Sequence, residues 1–329
     1  MRPLARFVPY VTTHLIEGYA IMRSRVVVAI LALQLTGLAS AHAQEASTPN
    51  AAQNPRWAPI RAVFGQGEQE GRYFRVNLPR SDLHVSIGLD TLSSHFEFTS
   101  YIGFAPAGTK SVIAMSEIIV LQSEVPLVLA EAHRQGIHIT AVHNHLLNEQ
   151  PHIMYVHATA EGAPGAIASS FRAVFAKTAT PLAPAGEEKS TVDWSRVDAV
   201  LGTHAEAHGT IAEYVFPRRE HLTMHGMPLE SSGTLETASE VVFEQLGDGR
   251  VANTGELFIS PNEVEPVVRA LDENGLHVTA LHNHMVEDQP RMYWVHWYAT
   301  GNPVTLAKGV AVALSHMNSV QKSKSEGGG

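Results

Sequence analysis

With no cysteine among its 329 residues, the chain can carry neither a disulfide framework nor a thiolate metal site or nucleophile. Its 23 Lys and Arg against 32 Asp and Glu leave a formal charge of −9, too acidic to track a phosphate backbone, which excludes nucleic acid as a partner. A hydrophobic content of 44% is that of a folded globular protein.

The first element in chain order reads as a secretory signal peptide over residues 1–43. Arg23 and Arg25 precede an apolar run from Val26 to Leu38, and Ala41-His42-Ala43 offers the small residues of a cleavage site. The run falls short of the roughly 20 apolar residues that a membrane span needs. Either Met1 or Met22 serves as its start. Cleavage after Ala43 removes Arg2, Arg6, Arg23 and Arg25 together with Glu17, so the formal charge falls from −9 to −12. The expectation is an exported chain, periplasmic or secreted, with no transmembrane segment after cleavage and no cysteine for a lipid anchor.

Residues 44–56 read as a disordered start to the mature chain. Next comes the phrase "WAPIRAVFG" from Trp57, echoed by "WSRVDAVLG" from Trp194. Residues 82–88 and 95–104 have strand character, as do Ser111–Leu121 and, in the second half, Val251–Ile259. Residues 124–134 and 263–273 carry apolar residues at helical spacing, the second behind the capping box Ser260-Pro261-Asn262-Glu263. Gly136 and Gly275 stand where helix C′ residues stand. Strands over 137–147 and 153–160 follow, then a helix over 165–177.

A constant offset of 139 maps residues 136–162 onto 275–301, with 13 of the 27 positions identical. The chain is therefore read as two copies of one unit, at 57–177 and 193–318, joined by a Pro- and Ala-rich linker at 178–192 and followed by a disordered tail at 319–329. The fold class is α+β: two tandem homologous units, each a mostly antiparallel sheet with two helices, packed with pseudo-twofold symmetry.

The repeated phrase is rich in histidine. Side chains two apart on a strand share a face, so His143 and His145 are expected to point together, with Ala141 and Ile139 behind them. A hairpin turning near Gln150-Pro151 puts His143 opposite His157, and the second unit repeats the cluster with His282, His284 and His296. Three neutral imidazoles with an oxygen ligand, from Glu124 or Glu263 at the neighbouring helix start, suit a divalent transition metal, zinc first, with an open position. Glu117, Glu256, Glu149 and Asp288 are further carboxylate candidates, and Asn144 and Asn283 further polar neighbours. One metal site per repeat is expected, serving hydrolysis or metal binding.

The alternative is a non-enzymatic envelope protein that binds a sugar, a peptide or another small molecule. There the histidines are hydrogen-bond networks, and Trp294, Trp297 and Tyr298 are either core or a stacking platform. No H-E-x-x-H, P-loop or G-x-S-x-G motif is present to choose between these readings.

"GLHVTALHNHMVEDQPRMYWVHWYATG", with "TGELFISPNEVEPVVRAL" upstream of it, resembles the LppY/LpqO-like family of exported bacterial proteins, a domain of unknown function often found in tandem copies. The resemblance covers both units and implies an exported location and a shared fold. It supplies no reaction. The family's namesakes are lipoproteins, and this chain lacks their lipid-bearing cysteine.

Overall fold

The structure is a computed structural model that describes residues 54–183, 189–224 and 226–320. The signal peptide expected at 1–43, the residues from there to 53, the middle of the expected linker, residue 225 and the tail from 321 lie outside the described residues.

Each repeat builds a six-stranded sheet in which every neighbouring pair is antiparallel. In the first repeat the spatial order is Glu68–Glu70, Tyr73–Pro79, Thr99–Ala107, Ser111–Leu121, Ile153–Gly162 and His138–His143. The second repeats it with Glu206–His208, Ile211–Pro217, Ala238–Gln245, Val251–Ile259, Tyr293–Gly301 and His277–His282. The histidine strand is therefore an edge strand in both. A small three-stranded sheet accompanies each large one.

Strand alternation decides what each face meets. In Ser111–Leu121 the even-numbered Val112, Ala114, Ile118 and Val120 pack with the repeat's own helices, Ala58–Phe64, Val125–Arg134 and Pro164–Phe175. The odd-numbered Ile113, Met115 and Ile119 face the other repeat. Two apolar clusters bridge the repeats. One joins Tyr73 and Met115 to Leu222, Phe258 and Trp294; the other joins Phe96, Ile119 and Tyr155 to Ile211, Val242 and Ala252. The layers thus run helix, sheet, sheet, helix, and the two repeats belong to one compact unit.

Local signals set the element ends. Gly136 and Gly275 adopt φ of 70° and 74°, and the amides of Ile137 and Leu276 return to Ala132 and Leu271 to close each helix. Three expectations need correction. Residues 95–97 are helical because the Ser93 hydroxyl caps the turn Ser94–Glu97, and the strand begins only at Thr99. Helices at Ala58–Phe64 and Ser195–Leu201 bring each repeat above the two expected. Residues 54–56 and 319–320 are ordered: Asn54 caps a short 3-10 turn at Pro55–Trp57, and buried Ser319 bridges to Arg218. Among the described residues, no helix is long and apolar enough to cross a membrane.

The repeats pack backbone against backbone at Gly103, where an added Cβ would lie 2.4 Å from the Thr234 carbonyl oxygen. Backbone cannot swing aside as a side chain can. Gly103→Ala is therefore expected to lower unfolding free energy by about 1–3 kcal/mol in denaturant titration.

Glu244 spans the same interface, accepting the Ser93 amide at 3.0 Å while 5% exposed. Burial pushes its carboxyl up to about 7, against the pull of the Ser93 amide. A raised acid pKa means that folding takes up a proton. Its contribution is present below the unfolded value and lost as pH rises through about 7. Glu244→Gln should match wild type at pH 5 and exceed it at pH 8 by on the order of 2–3 kcal/mol, read from thermal midpoints at the two pH values.

Candidate metal centre

The histidine strands end where the two sheets meet. His138–His143 pairs with Ile153–Gly162, but its register slips between Ile139 and Ala141, leaving Thr140 as a bulge. The extra residue turns Ile139 toward its own helices and Ala141 and His143 toward the other repeat. His157 consequently stands opposite Ala141, and His143 opposite Tyr155, two residues from the register that a turn at Gln150-Pro151 was expected to set. Thr279 bulges the second repeat in the same way.

The strands stop at His143 and His282, so the loops that follow, not strand period, position His145 and His284. The Asn144 and Asn283 amides donate to the carbonyls of Leu146 and Met285 at 3.0 and 2.9 Å, holding these loops in place of joining the cluster. Each placed imidazole then lies on an aromatic ring of its own repeat. His145 stacks on Tyr155 at 3.6 Å and His284 on Trp294 at 3.9 Å.

The structure does not build one cluster per repeat. It merges the six imidazoles across the pseudo-twofold as three stacked pairs, each with one ring from either repeat. His143 meets His282 at 3.5 Å, His145 meets His296 at 3.7 Å, and His157 meets His284 at 3.7 Å. His145, His157, His284 and His296 are at most 3% exposed, whereas His143 and His282 are half-buried.

Carboxylates surround the rings. Glu117 and Glu256 stand directly across the sheet from His157 and His296. Glu117 Oε2 lies 3.2 Å from His157 Nε2 and 3.4 Å from His145 Nε2, and Glu256 Oε2 lies 3.9 Å from His284 Nε2. Two more carboxylates escaped the sequence reading. Glu97 Oε2 pairs with His145 Nδ1 at 2.9 Å, and Glu236 Oε2 lies 3.4 Å from His284 Nδ1. They are 139 residues apart, so the repeat offset was the signal that could have found them. Glu236 adopts φ of 51°, a left-handed conformation that costs a non-glycine residue on the order of 1 kcal/mol and persists where the surroundings enforce it.

The other expected carboxylates serve the fold. Glu124 and Glu263 face the fully buried guanidinium groups of Arg80 and Arg218 at 3.0 and 2.8 Å, and accept the amides of Leu121 and Ser260. A buried guanidinium needs that partner, and neither carboxylate joins a group of converging metal-ligand atoms. Glu149 and Asp288 close their own loops, accepting the amides of Ile153 and Met292. Trp294 and Trp297 are fully buried, the latter donating to Asn253 at 2.8 Å, and Tyr298 packs edge-on against Phe96. These rings offer no platform to a ligand.

Burial sets the charge state of the cluster. It pushes His143 and His157 down to about 3, aided at His143 by the neighbouring His157. His145, His282, His284 and His296 are lowered too, by burial first and then by the other imidazoles. The carboxyls of Glu97 and Glu117 are pushed up to about 8, chiefly by burial. The imidazoles are thus neutral, the form in which a ring nitrogen offers its lone pair to a metal.

Many of these donors have no hydrogen-bond partner among the described residues. They include Nε2 of His143, His145 and His157, Nδ1 of His282, both nitrogens of His296, and one oxygen each of Glu117 and Glu256. The close Glu117–histidine contacts are short in distance but not aligned as hydrogen bonds. Donor atoms of His143, His145, His157, His282 and His284 all lie within 4.8 Å of one another. Buried polar atoms that converge without pairing are what a cation site offers. Glu97 and Glu236 each stand on the Nδ1 side of a ring and also belong to groups of converging donor atoms, so they are placed to serve as ligands themselves.

Both repeats match the model of the family described as Domain of Unknown Function (DUF1259), over residues 58–177 and 195–316, and the chain belongs to that family. No curated protein matches it. Among solved structures it is similar to the trimeric bacterial microcompartment shell protein PduB, at 9% identity and a TM-score of 0.19, covering 78% of this chain and 96% of that one. A likeness that distant carries no argument about fold or function.

The two groups of carboxylates are separable by experiment. Glu124→Gln is expected to cost about 3 kcal/mol in stability, the low end for a broken buried pair because Asp82 stays beside Arg80, and to leave metal content unchanged. Glu117→Gln should do the reverse, lowering metal content at nearly unchanged stability, as read by elemental analysis alongside denaturation.

Proposed function

We propose that this chain is an exported bacterial protein that binds a divalent transition metal in the histidine and glutamate cluster its two repeats build together, with zinc the first ion to test. The observation that carries the reading is the convergence of buried, neutral, unpartnered imidazole nitrogens on common points. Without thiolates, nitrogen and oxygen donors of this kind select first-row divalent ions. Export, to the periplasm or beyond the cell, rests on the leader-like residues 1–43 and on the resemblance to LppY/LpqO-like proteins.

The rival reading, a histidine hydrogen-bond network in a sugar- or peptide-binding protein, calls for paired nitrogens and exposed aromatics. Here Nε2 of His143, His145 and His157, Nδ1 of His282 and both nitrogens of His296 lack hydrogen-bond partners, and Trp294 and Trp297 are buried. Two surface cavities, of about 310 and 530 Å³, are lined around Asp198 and His204 and around Gln122 and His152, away from the cluster. Coordination places a cation near the plane of each imidazole, so loading requires the stacked rings to tilt apart.

Elemental analysis of purified protein after supplementation with zinc, manganese, iron, nickel or copper tests this directly. Stoichiometric metal is expected, and its absence for every ion would sink the reading. His143→Ala with His282→Ala, which removes the two rings at the centre of the cluster, should lower the metal affinity of a folded protein. Free zinc at about 100-fold above its Kd should add about 2.7 kcal/mol to the stability of wild type, and the same zinc concentration should add less to that of the double variant.

A further inference from the structure

The cluster offers more donors than one ion can use. A divalent first-row cation takes four to six ligands, and six imidazoles with four carboxylates exceed that. Their arrangement shows how they divide. Donor atoms of Glu117, His157, Glu236 and His284 lie within 4.8 Å of one another and form one group. Glu97, His145 and His296 form another.

The repeat offset exchanges these groups. Adding 139 takes Glu117 to Glu256 and His157 to His296; subtracting 139 takes Glu236 to Glu97 and His284 to His145. By the offset Glu256 completes the second group as Glu117 completes the first, and its donor atom converges with that of His296 and also with that of His284 from the first group. Each of these two groups draws on both repeats, while Glu256, His284 and His296 also converge within the second repeat alone. Unpartnered buried atoms occur in both: His157 Nε2 and Glu117 Oε2 in one, both His296 nitrogens and Glu256 Oε1 in the other. His143 and His282, stacked on each other between the groups, are the rings that both groups can share.

From this symmetry we infer that the cluster is a binuclear centre, holding one divalent cation in each of two pseudo-twofold-related sets of two histidines and two glutamates. The inference rests on the metal-binding reading above and goes beyond it in number and ligand assignment.

The two positions are not equivalent. Glu236 accepts the Tyr101 hydroxyl at 2.7 Å and lies 3.7 Å from the Arg75 guanidinium. Glu97, its counterpart, accepts a neutral hydroxyl from Thr254 at 3.1 Å and has no such cation. Arg75 already neutralises part of the charge that the Glu236 set offers to an ion. The Glu97 set fills first, and the Glu236 set fills at higher metal concentration.

The test is a zinc titration of the full-length protein against a chromogenic chelator, with bound zinc counted after dialysis. Wild type is expected to bind two ions per chain in two resolved steps. Glu117→Gln with His157→Ala should lose the weaker step and keep one ion. Glu97→Gln with His145→Ala should lose the tighter step and keep the other.

Near-UV circular dichroism shows whether each variant folds. Should either pair fail to fold, wild type loaded with manganese carries the test alone. Two adjacent ions give the exchange-coupled paramagnetic resonance spectrum of a pair, and a single ion gives the uncoupled six-line spectrum. A stoichiometry of one, with both variant pairs abolishing it or with the uncoupled spectrum, overturns the binuclear centre and leaves the metal-binding reading intact. A stoichiometry of zero overturns both.

Discussion

A sheet has two faces, and the helices of each repeat cover only one of them. The other carries Tyr73, Ile113, Met115 and Ile119 in the first repeat and Ile211, Val242, Ala252 and Phe258 in the second. Fully burying one such side chain contributes roughly 1.5–3 kcal/mol, so these faces must find cover. Each finds it on the other repeat. Two copies of one surface pack on themselves most simply about a twofold axis, because every contact is then made twice. The histidine-bearing edge strands His138–His143 and His277–His282 meet because the apolar faces beside them do. The assembly of the cluster is a consequence of hydrophobic packing elsewhere in the interface.

That packing carries an electrostatic burden. Ten imidazole and carboxyl groups sit at the centre of the contact between the repeats, and several of their donors and acceptors do not pair among the described residues. Burying an unpaired polar group costs about 1–3 kcal/mol, and burying a charge costs more. The cluster limits the second cost by staying neutral, with its imidazoles deprotonated and its carboxyls pushed upward. It does nothing about the first. Compare Arg80, equally buried, whose guanidinium meets Asp82, Glu124 and the Ile119 carbonyl. The fold can satisfy a buried polar side chain where structure alone is at stake, and the contrast with the unsatisfied cluster is what supports the proposed metal site.

Much of this was legible in the sequence, for identifiable reasons. Ser111–Leu121 and Val251–Ile259 announced themselves by β-branched content, and the helices by periodicity and their terminal glycines, all of them local signals. The repeat offset supplied the six histidines and the pseudo-twofold pair. What escaped depended on contacts distant in sequence. Nothing near His143 says that its closest ring is His282, or that Trp294 spends its stacking face on His284 and not on a ligand. Glu124 looked like a ligand because it is retained as Glu263, yet both are retained for Arg80 and Arg218. Glu97 and Glu236 satisfied the offset and were passed over, because a capped turn and a 3-10 turn replace the strands expected there. The bulge at Thr140 was invisible to strict alternation, and it alone decides that Ile139 and His143 face opposite ways.

The manner in which the copies have drifted says what the interface requires. All six histidines and the four carboxylates around them are matched across the offset, while the residues supporting them are not. Tyr155 answers to Trp294 beneath the stacked ring, Met115 to Thr254, and Tyr101 to Glu240. A homodimer could not do this, since any change beside one half of a symmetric site appears beside the other. Fusing the copies into one chain removes that restriction. Arg75 can then stand beside Glu236 without a second arginine beside Glu97, where like charges would crowd the same axis. Matched ligands on unmatched supports are what a site of twofold geometry acquires once its two halves are free to differ in electrostatics.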